Sequence, residues 1–139
     1  MIVLDTNVLS EALRPSPSVK VRRWMSGQSA ASLFITTISE AEMLYGVAIL
    51  PAGKRQSSLR EAVVAIFKED FANRVLPFDS AAAEAFADMA ADRRRSGRPL
   101  NALDGQIASI ARSRGAAIAT RNSADFEGCG VPIIDPWTA

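Results

Sequence analysis

Met1-Ile-Val-Leu-Asp-Thr-Asn7 begins as an apolar run and stops abruptly at a carboxylate and two small polar groups. Ile2 to Leu4 suit a short strand buried on both faces. From Asn7 the period changes: Val8, Leu9, Ala12 and Leu13 recur at helical spacing until Pro15 and Pro17 end the helix. A buried strand that passes through an acid into a helix is the building unit of an α/β layer fold.

The unit recurs along the chain. Leu33-Phe-Ile-Thr-Thr-Ile38 is β-branched and aromatic, and after Ser39 the stretch Glu40 to Val47 reads as helix. Val75-Leu-Pro-Phe78 precedes Asp79, a plain N-cap for an alanine-rich helix through Arg95. Leu100, Leu103, Ile107 and Ile110 mark a further helix, followed by a buried strand at Ala116-Ala-Ile-Ala-Thr120 and a last short one at Val131-Pro-Ile-Ile134. Two pieces complete the pattern: Val19, Val21 and Trp24 on a short helical or irregular segment closed by Gly27, and a helix from about Ser57 to Asp70 with Leu59, Val63, Ile66 and Phe67 as its apolar stripe. The expectation is one α/β domain over residues 1–139, with a mostly parallel central sheet of about four or five strands flanked by helices. In such sheets the ligand crevice lies beyond the C-terminal ends of the strands, where Asp5 falls.

Composition narrows the chemistry. With 16 Lys and Arg against 15 Asp and Glu, the net charge of +1 gives no global pull toward nucleic acid or membrane, so any such preference must be local. The absence of histidine excludes Ser-His-Asp and Cys-His catalysis and histidine-based zinc sites. A single cysteine, Cys129, excludes an internal disulfide and fits a reducing compartment. No basic leader precedes the first apolar run and no stretch approaches the ~20 apolar residues of a membrane span, so the expected location is the cytoplasm.

Four acids stand out. Asp5 alone reads as a helix N-cap. Glu42 has a structural reading too, because Ser39-Glu-Ala-Glu42 matches a capping box. Asp125 fits a turn. Asp104 resists such readings: it lies among small and apolar residues between Leu103 and Ile107, and an acid on an inward helix face needs a partner. These residues come from different elements yet meet at one sheet edge in the expected fold. Two carboxylates about 5 Å apart repel by roughly 3 kcal/mol at an effective dielectric of 20, so a cluster takes up protons or binds a cation. The three lysines, Lys20, Lys54 and Lys68, lie away from these strand ends. A divalent metal is the natural counter-charge, and oxygen-only ligation favours Mg²⁺ or Mn²⁺, whose chemistry with phosphate substrates is phosphodiester hydrolysis.

Four stretches carry a resemblance: Met1-Ile-Val-Leu-Asp-Thr-Asn-Val-Leu-Ser10, Ile38-Ser-Glu-Ala-Glu-Met-Leu-Tyr-Gly46, Leu103-Asp-Gly-Gln-Ile-Ala-Ser-Ile-Ala111 and Thr120-Arg-Asn-Ser-Ala-Asp-Phe-Glu-Gly128. In this order they resemble the PIN-domain ribonucleases, and within them the toxins of VapBC-type toxin–antitoxin pairs. The resemblance implies a metal-dependent endoribonuclease whose acidic quartet is Asp5, Glu42, Asp104 and Asp125, with Asp5 and Asp104 the leading metal ligands. Glu42 rather than Glu40 fits the motif, four residues before Gly46. Thr6, Asn7, Thr120 and Asn122 would orient ligands or contact phosphate. The implied reaction is attack of a metal-activated water on phosphorus, leaving a 5′-phosphate and a 3′-hydroxyl. The resemblance also implies a homodimer and a small VapB-like antitoxin that blocks the site; the apolar helices, Val47-Ala-Ile-Leu50 included, are candidates for its groove.

Arg93-Arg-Arg-Ser-Gly-Arg98 is the densest basic patch, comprising Arg93, Arg94, Arg95 and Arg98. It reads equally as a solvated helix end and as a contact for RNA phosphates, and Arg121 is a second RNA candidate. Trp24 and Trp137 suit packing or base stacking. Gly105, inside a helix, has no evident purpose in the sequence. Two other readings fit the sequence less well. A receiver-like Mg²⁺-binding signalling domain needs a lysine at a strand end, which is missing, and a catalytically silent PIN-fold binding protein sits poorly with an intact quartet. A D-x-D phosphatase lacks its second acid, since Asn7 stands there.

Overall fold

The computed structural model describes all residues 1–139. Five strands form one sheet: β1 (Ile2–Leu4), β2 (Leu33–Thr36), β3 (Val75–Leu76), β4 (Ala117–Ala119) and β5 (Ile133–Ile134). Every pairing is parallel and the order is β3-β2-β1-β4-β5, in agreement with the expected α/β architecture. Ile2 is in register with Leu33 on one side and Ala117 on the other, so β1 is central. The direction in which strands are added reverses at β1 and β4, which makes their C-terminal ends the topological switch point.

Alternation along these strands divides the core between the two faces. Val3 and Ile118 point to one side, where they pack with Met89, Ile107 and Ile110 of α5 (Ser80–Arg95) and α6 (Ala102–Ser113). Leu4, Ile35 and Ala119 point to the other, against residues of α1 (Thr6–Ala12), α2 (Val19–Ser26), α3 (Thr37–Ala48) and α4 (Lys54–Ala65). None of these helices is long and apolar enough to cross a membrane.

Several boundaries differ from the sequence reading. β2 ends at Thr36 and α3 starts at Thr37, because the Thr36 hydroxyl accepts from the Ser39 amide at 3.1 Å and caps the helix. Ser39 therefore lies inside the first turn, and the expected Ser39–Glu42 capping box does not form. α4 begins at Lys54, directly after Gly53, and gives way at Ile66–Asp70 to a π-helical turn. The strands at 75–76 and 133–134 are shorter than expected, as prolines at 77 and 132 would limit.

Arg93 requires a correction. It is 8 % exposed, and its guanidinium donates to the backbone carbonyls of Arg98 (2.7 Å), Asp125 (3.1 Å) and Glu127 (2.7 Å). Its charge is spent inside the protein, where it clamps the segment bearing Asp125 to the end of α5, so it is not part of an RNA-facing patch. Arg94, Arg95 and Arg98 are exposed; Arg95 pairs with Asp92, and Arg98 pairs with Glu127.

Gly105 acquires a purpose. A Cβ built there would stand 2.9 Å from Phe86 Cε2 and 3.2 Å from Leu100 Cδ1, so the missing side chain lets α6 lie close against α5. The Phe86 ring is itself held edge-on to Phe78, at a centroid distance of 6.2 Å. Gly105→Ala gains about 1 kcal/mol of helix propensity but overpacks this contact by ~1–3 kcal/mol, so a net loss of about 1 kcal/mol is expected. Urea unfolding checks it: an unchanged or raised midpoint would mean that α5 yields freely.

Candidate active site

Asp5 is the first residue beyond β1 and only 4 % exposed. Its amide donates to the Ala119 carbonyl at 2.9 Å, extending the β1–β4 ladder by one bond. One carboxylate oxygen accepts the Thr6 amide at 2.8 Å, so Asp5 caps α1 as expected. The other accepts the Thr120 hydroxyl at 2.8 Å and the Asn7 amide group at 3.2 Å. Asn7 also donates to Thr120 Oγ1, and its own oxygen accepts the Arg121 amide, both at 3.3 Å. Thr120 is fully buried, and its oxygen further accepts the Asn122 amide at 3.1 Å. Residues 5–7 and 120–122 thus form one hydrogen-bonded unit across the switch point. Burial nevertheless pushes the Asp5 carboxyl above its usual range; the Thr120 and Thr6 bonds oppose that shift, and the charge of Asp125 adds to it.

Glu42 reaches the site from the second turn of α3. With no capping box to occupy it, its Oε1 accepts the Thr6 hydroxyl at 2.8 Å, and Thr6 Oγ1 also lies 2.9 Å from the buried Ser39 hydroxyl. Asp104 stands in the first turn of α6, whose N-cap Asn101 accepts from the Leu103 and Asp104 amides. It is half-buried, while Leu103 beside it is exposed. Burial, then the charges of Asp5, Asp125 and Glu42, raise the Asp104 carboxyl from 3.8 to about 6. Asp125 is exposed, on a 3₁₀ turn at Ser123–Phe126, and bears on the others through its charge. Sheet topology therefore brings the four acids into one electrostatic cluster, although up to 120 residues separate them in sequence.

Asp5, Glu42 and Asp104, together with Thr6, Asn7 and Asn122, line a cleft of about 460 Å³. Ser10, Glu11, Arg14, Arg121 and Trp137 line it too. Sequence reasoning passed over Ser10, Glu11 and Arg14, yet the helical period from Thr6 and Asn7 puts Ser10 and Glu11 on the same face of α1, and Arg14 follows just past its end. Glu11 is buried and accepts from Arg14, at 3.1 Å, and from the Ser18 amide, at 3.3 Å, which fixes the turn after α1.

The donor set is all oxygen and mutually repelling: after burial, the charges of Asp5, Asp125 and Glu42 are what raise the Asp104 carboxyl. These residues fit a hard divalent cation. They do not close into a ready-made cage: no three acidic side chains stand close enough to enclose an ion by themselves. A second hollow, of about 660 Å³, adjoins the cleft and shares Thr6, Ser10, Arg14 and Glu42 with it. Leu13, Met43, Val47, Leu59 and Val63 give it an apolar lining.

Known proteins with this fold carry the same arrangement of elements. The crystal structure of FitAcB from Neisseria gonorrhoeae superposes with a TM-score of 0.93 at 35% identity, covering all of both chains. The plasmid stability protein StbB of Pseudomonas syringae pv. tomato is 42% identical over 139 residues, the whole of each chain. The VapC ribonuclease Y4jK of Sinorhizobium fredii is 39% identical over 137 residues, 99% of this chain and 98% of its own. The match to the PIN domain itself spans residues 2–128, every element from β1 to the turn that bears Asp125, and the chain belongs to the PIN-domain family.

Proposed function

We propose that this protein is the toxin of a VapBC-like toxin–antitoxin pair, a metal-dependent endoribonuclease that acts in the cytoplasm. The observation that carries the reading is the cluster of mutually repelling carboxylates at the C-terminal edge of a parallel sheet, in a chain without histidine. Similarity over full length to a VapC ribonuclease supports it.

Asp5 and Asp104 are assigned as the direct metal ligands, with Glu42 and Asp125 completing the quartet. Two carboxylates without an enclosing cage is the coordination habit of Mg²⁺, which keeps its waters and takes a phosphate oxygen; Mn²⁺ would serve similarly. When bound, such an ion lowers the pKa of a coordinated water and neutralises charge developing on the phosphate. Thr120 and Asn7 aim the Asp5 carboxylate, and Thr6 aims Glu42. Asn122, which lines the cleft, would contact phosphate. Arg121, and the exposed Arg94, Arg95 and Arg98 farther out, would contact the RNA backbone.

The apolar hollow beside the cleft is assigned to the antitoxin. An amphipathic segment laid against Met43, Val47 and Leu59 would share the wall formed by Thr6, Arg14 and Glu42, and would so reach the acids. A homodimer is also part of this reading; Tyr45 on α3 and Ile49 at its C-cap, both exposed, give it an apolar face.

Three outcomes are expected. Cleavage of a mixed RNA pool should require Mg²⁺ or Mn²⁺, stop with chelator, and fall about a hundredfold or more in folded Asp5→Asn and Asp104→Asn variants. Unchanged cutting in either variant would remove that acid from the centre.

The second concerns pH. The folded-state value of Asp104, about 6, lies above its ordinary 3.8, so the folded protein holds this proton more tightly than the unfolded chain does. Its contribution to stability is complete below 3.8 and is lost as the pH rises through about 6. In metal-free thermal melts, Asp104→Asn should therefore gain on the wild type as pH rises across this window, and Mn²⁺ should close the gap at the upper end. A difference constant with pH would contradict the cluster.

The third concerns the partner. Gly46 lines the hollow, and a Cβ there would meet nothing within 4 Å. Gly46→Leu should leave the fold intact and, by filling the hollow, weaken antitoxin binding by about tenfold or more in titration calorimetry. Undiminished binding would place the antitoxin elsewhere.

A further inference from the structure

We propose that Arg121 and Trp137 form a nucleobase subsite of the cleft, taking the base of an unpaired nucleotide next to the scissile phosphate. The proposal rests on the ribonuclease reading above and names the form of RNA that the site accepts.

Trp137 is the only apolar side chain lining the acidic cleft. It is half-buried, and its inner side packs with the core group that contains Leu4 and Ala119. Its backbone is fixed as well. Its amide donates to Asp135 Oδ1 at 2.9 Å, Pro136 before it is buried, and the Ile134 carbonyl accepts the Thr120 amide at 2.9 Å. The indole is therefore a preorganised surface attached to β4, the strand whose end holds Asp5.

Arg121 lies over that surface, its guanidinium carbon 5.2 Å from the Trp137 ring centroid. The cleft lining holds four carboxylates, Asp5, Glu11, Glu42 and Asp104, against two guanidinium groups, Arg14 and Arg121. Arg14 is committed to Glu11, at 3.1 Å, whereas Arg121 is in no ion pair. An incoming polyanion meets one uncommitted cation in the cleft, and that cation rests on the cleft's one aromatic ring. Guanidinium planes and indole rings are both platforms for splayed-out bases, and a base within a duplex offers no open face to either. Arg121 directly follows Thr120, which bonds Asp5, so a base on this platform belongs to a nucleotide flanking the reacting phosphate.

Two measurements test the subsite. The first reads binding without cleavage. Trp24→Phe leaves Trp137 as the single tryptophan, and Asp104→Asn in the same chain blocks turnover. A short single-stranded RNA of mixed sequence should quench its fluorescence, and the duplex of that sequence should do so about tenfold more weakly or worse. The second uses an RNA cut by the wild type at one mapped bond. Trp137→Leu should raise KM by about 10-fold to 100-fold with kcat little changed, and Trp137→Phe should recover most of the loss. An abasic nucleotide at one position beside the cut should reproduce the loss, and Trp137→Leu should then add nothing further.

No quenching by single strands, or equal quenching by duplex, overturns the subsite whether or not RNA is cut. An equal Trp137→Leu penalty on intact and abasic RNA also overturns it, because the effect would then be structural. Quenching by single strands with no RNA cut by the wild type would instead overturn the ribonuclease reading and leave the subsite standing.

Discussion

The bond from the Thr120 hydroxyl to the Asp5 carboxylate is the interaction on which the site depends. It joins the ends of the two strands at which the sheet changes direction, and both residues are buried. A buried carboxylate is costly unless donors surround it. Here the donors come from the residue that opens α1, from Asn7 one position on, and from the end of β4. The sheet must therefore be closed in its correct register for Asp5 to be satisfied, and once it is, the carboxylate has little freedom left. Folding and preorganisation of the site are the same event at this position.

Much of this architecture was legible in the chain because parallel strands are buried on both faces and read as short apolar runs between helical periods. The five strands and five of the six helices were recognisable, the segment that forms α2 reading as helical or irregular, and so was the end of the sheet at which Asp5, Glu42, Asp104 and Asp125 gather. Local capping was less legible. Thr36 and Ser39 both precede plausible helical residues, and only the tertiary path decides which one caps α3; that choice frees Glu42 from a local role. Gly105 could not be explained from its neighbours in sequence, since the atoms that exclude a side chain belong to Phe86 and Leu100, one of them on another helix.

Charge was the hardest property to read. Arg93 and Arg94 are adjacent in a run of three arginines, yet one is buried among carbonyls and the other faces solvent. Consecutive residues near a helix end point about 100° apart, so a basic run is divided between faces by geometry that composition does not contain. Arg14 and Arg121 reverse the lesson: both lie outside that run, and both border the acids. The electrostatics of the cleft is set by isolated residues that the helical period and the strand ends bring together.

The wall shared by the cleft and the neighbouring apolar hollow has a thermodynamic consequence. Thr6, Ser10, Arg14 and Glu42 face both spaces, and Glu42 is held by Thr6. Any occupant of one space that moves these side chains changes the free energy of filling the other, and linkage makes the effect reciprocal. Under the proposed function, a partner in the hollow that lowered the affinity of the cleft for a cation or RNA by some factor would itself be held more weakly by that factor once they bound. The availability of substrate would then be part of the release signal, without any change in the partner.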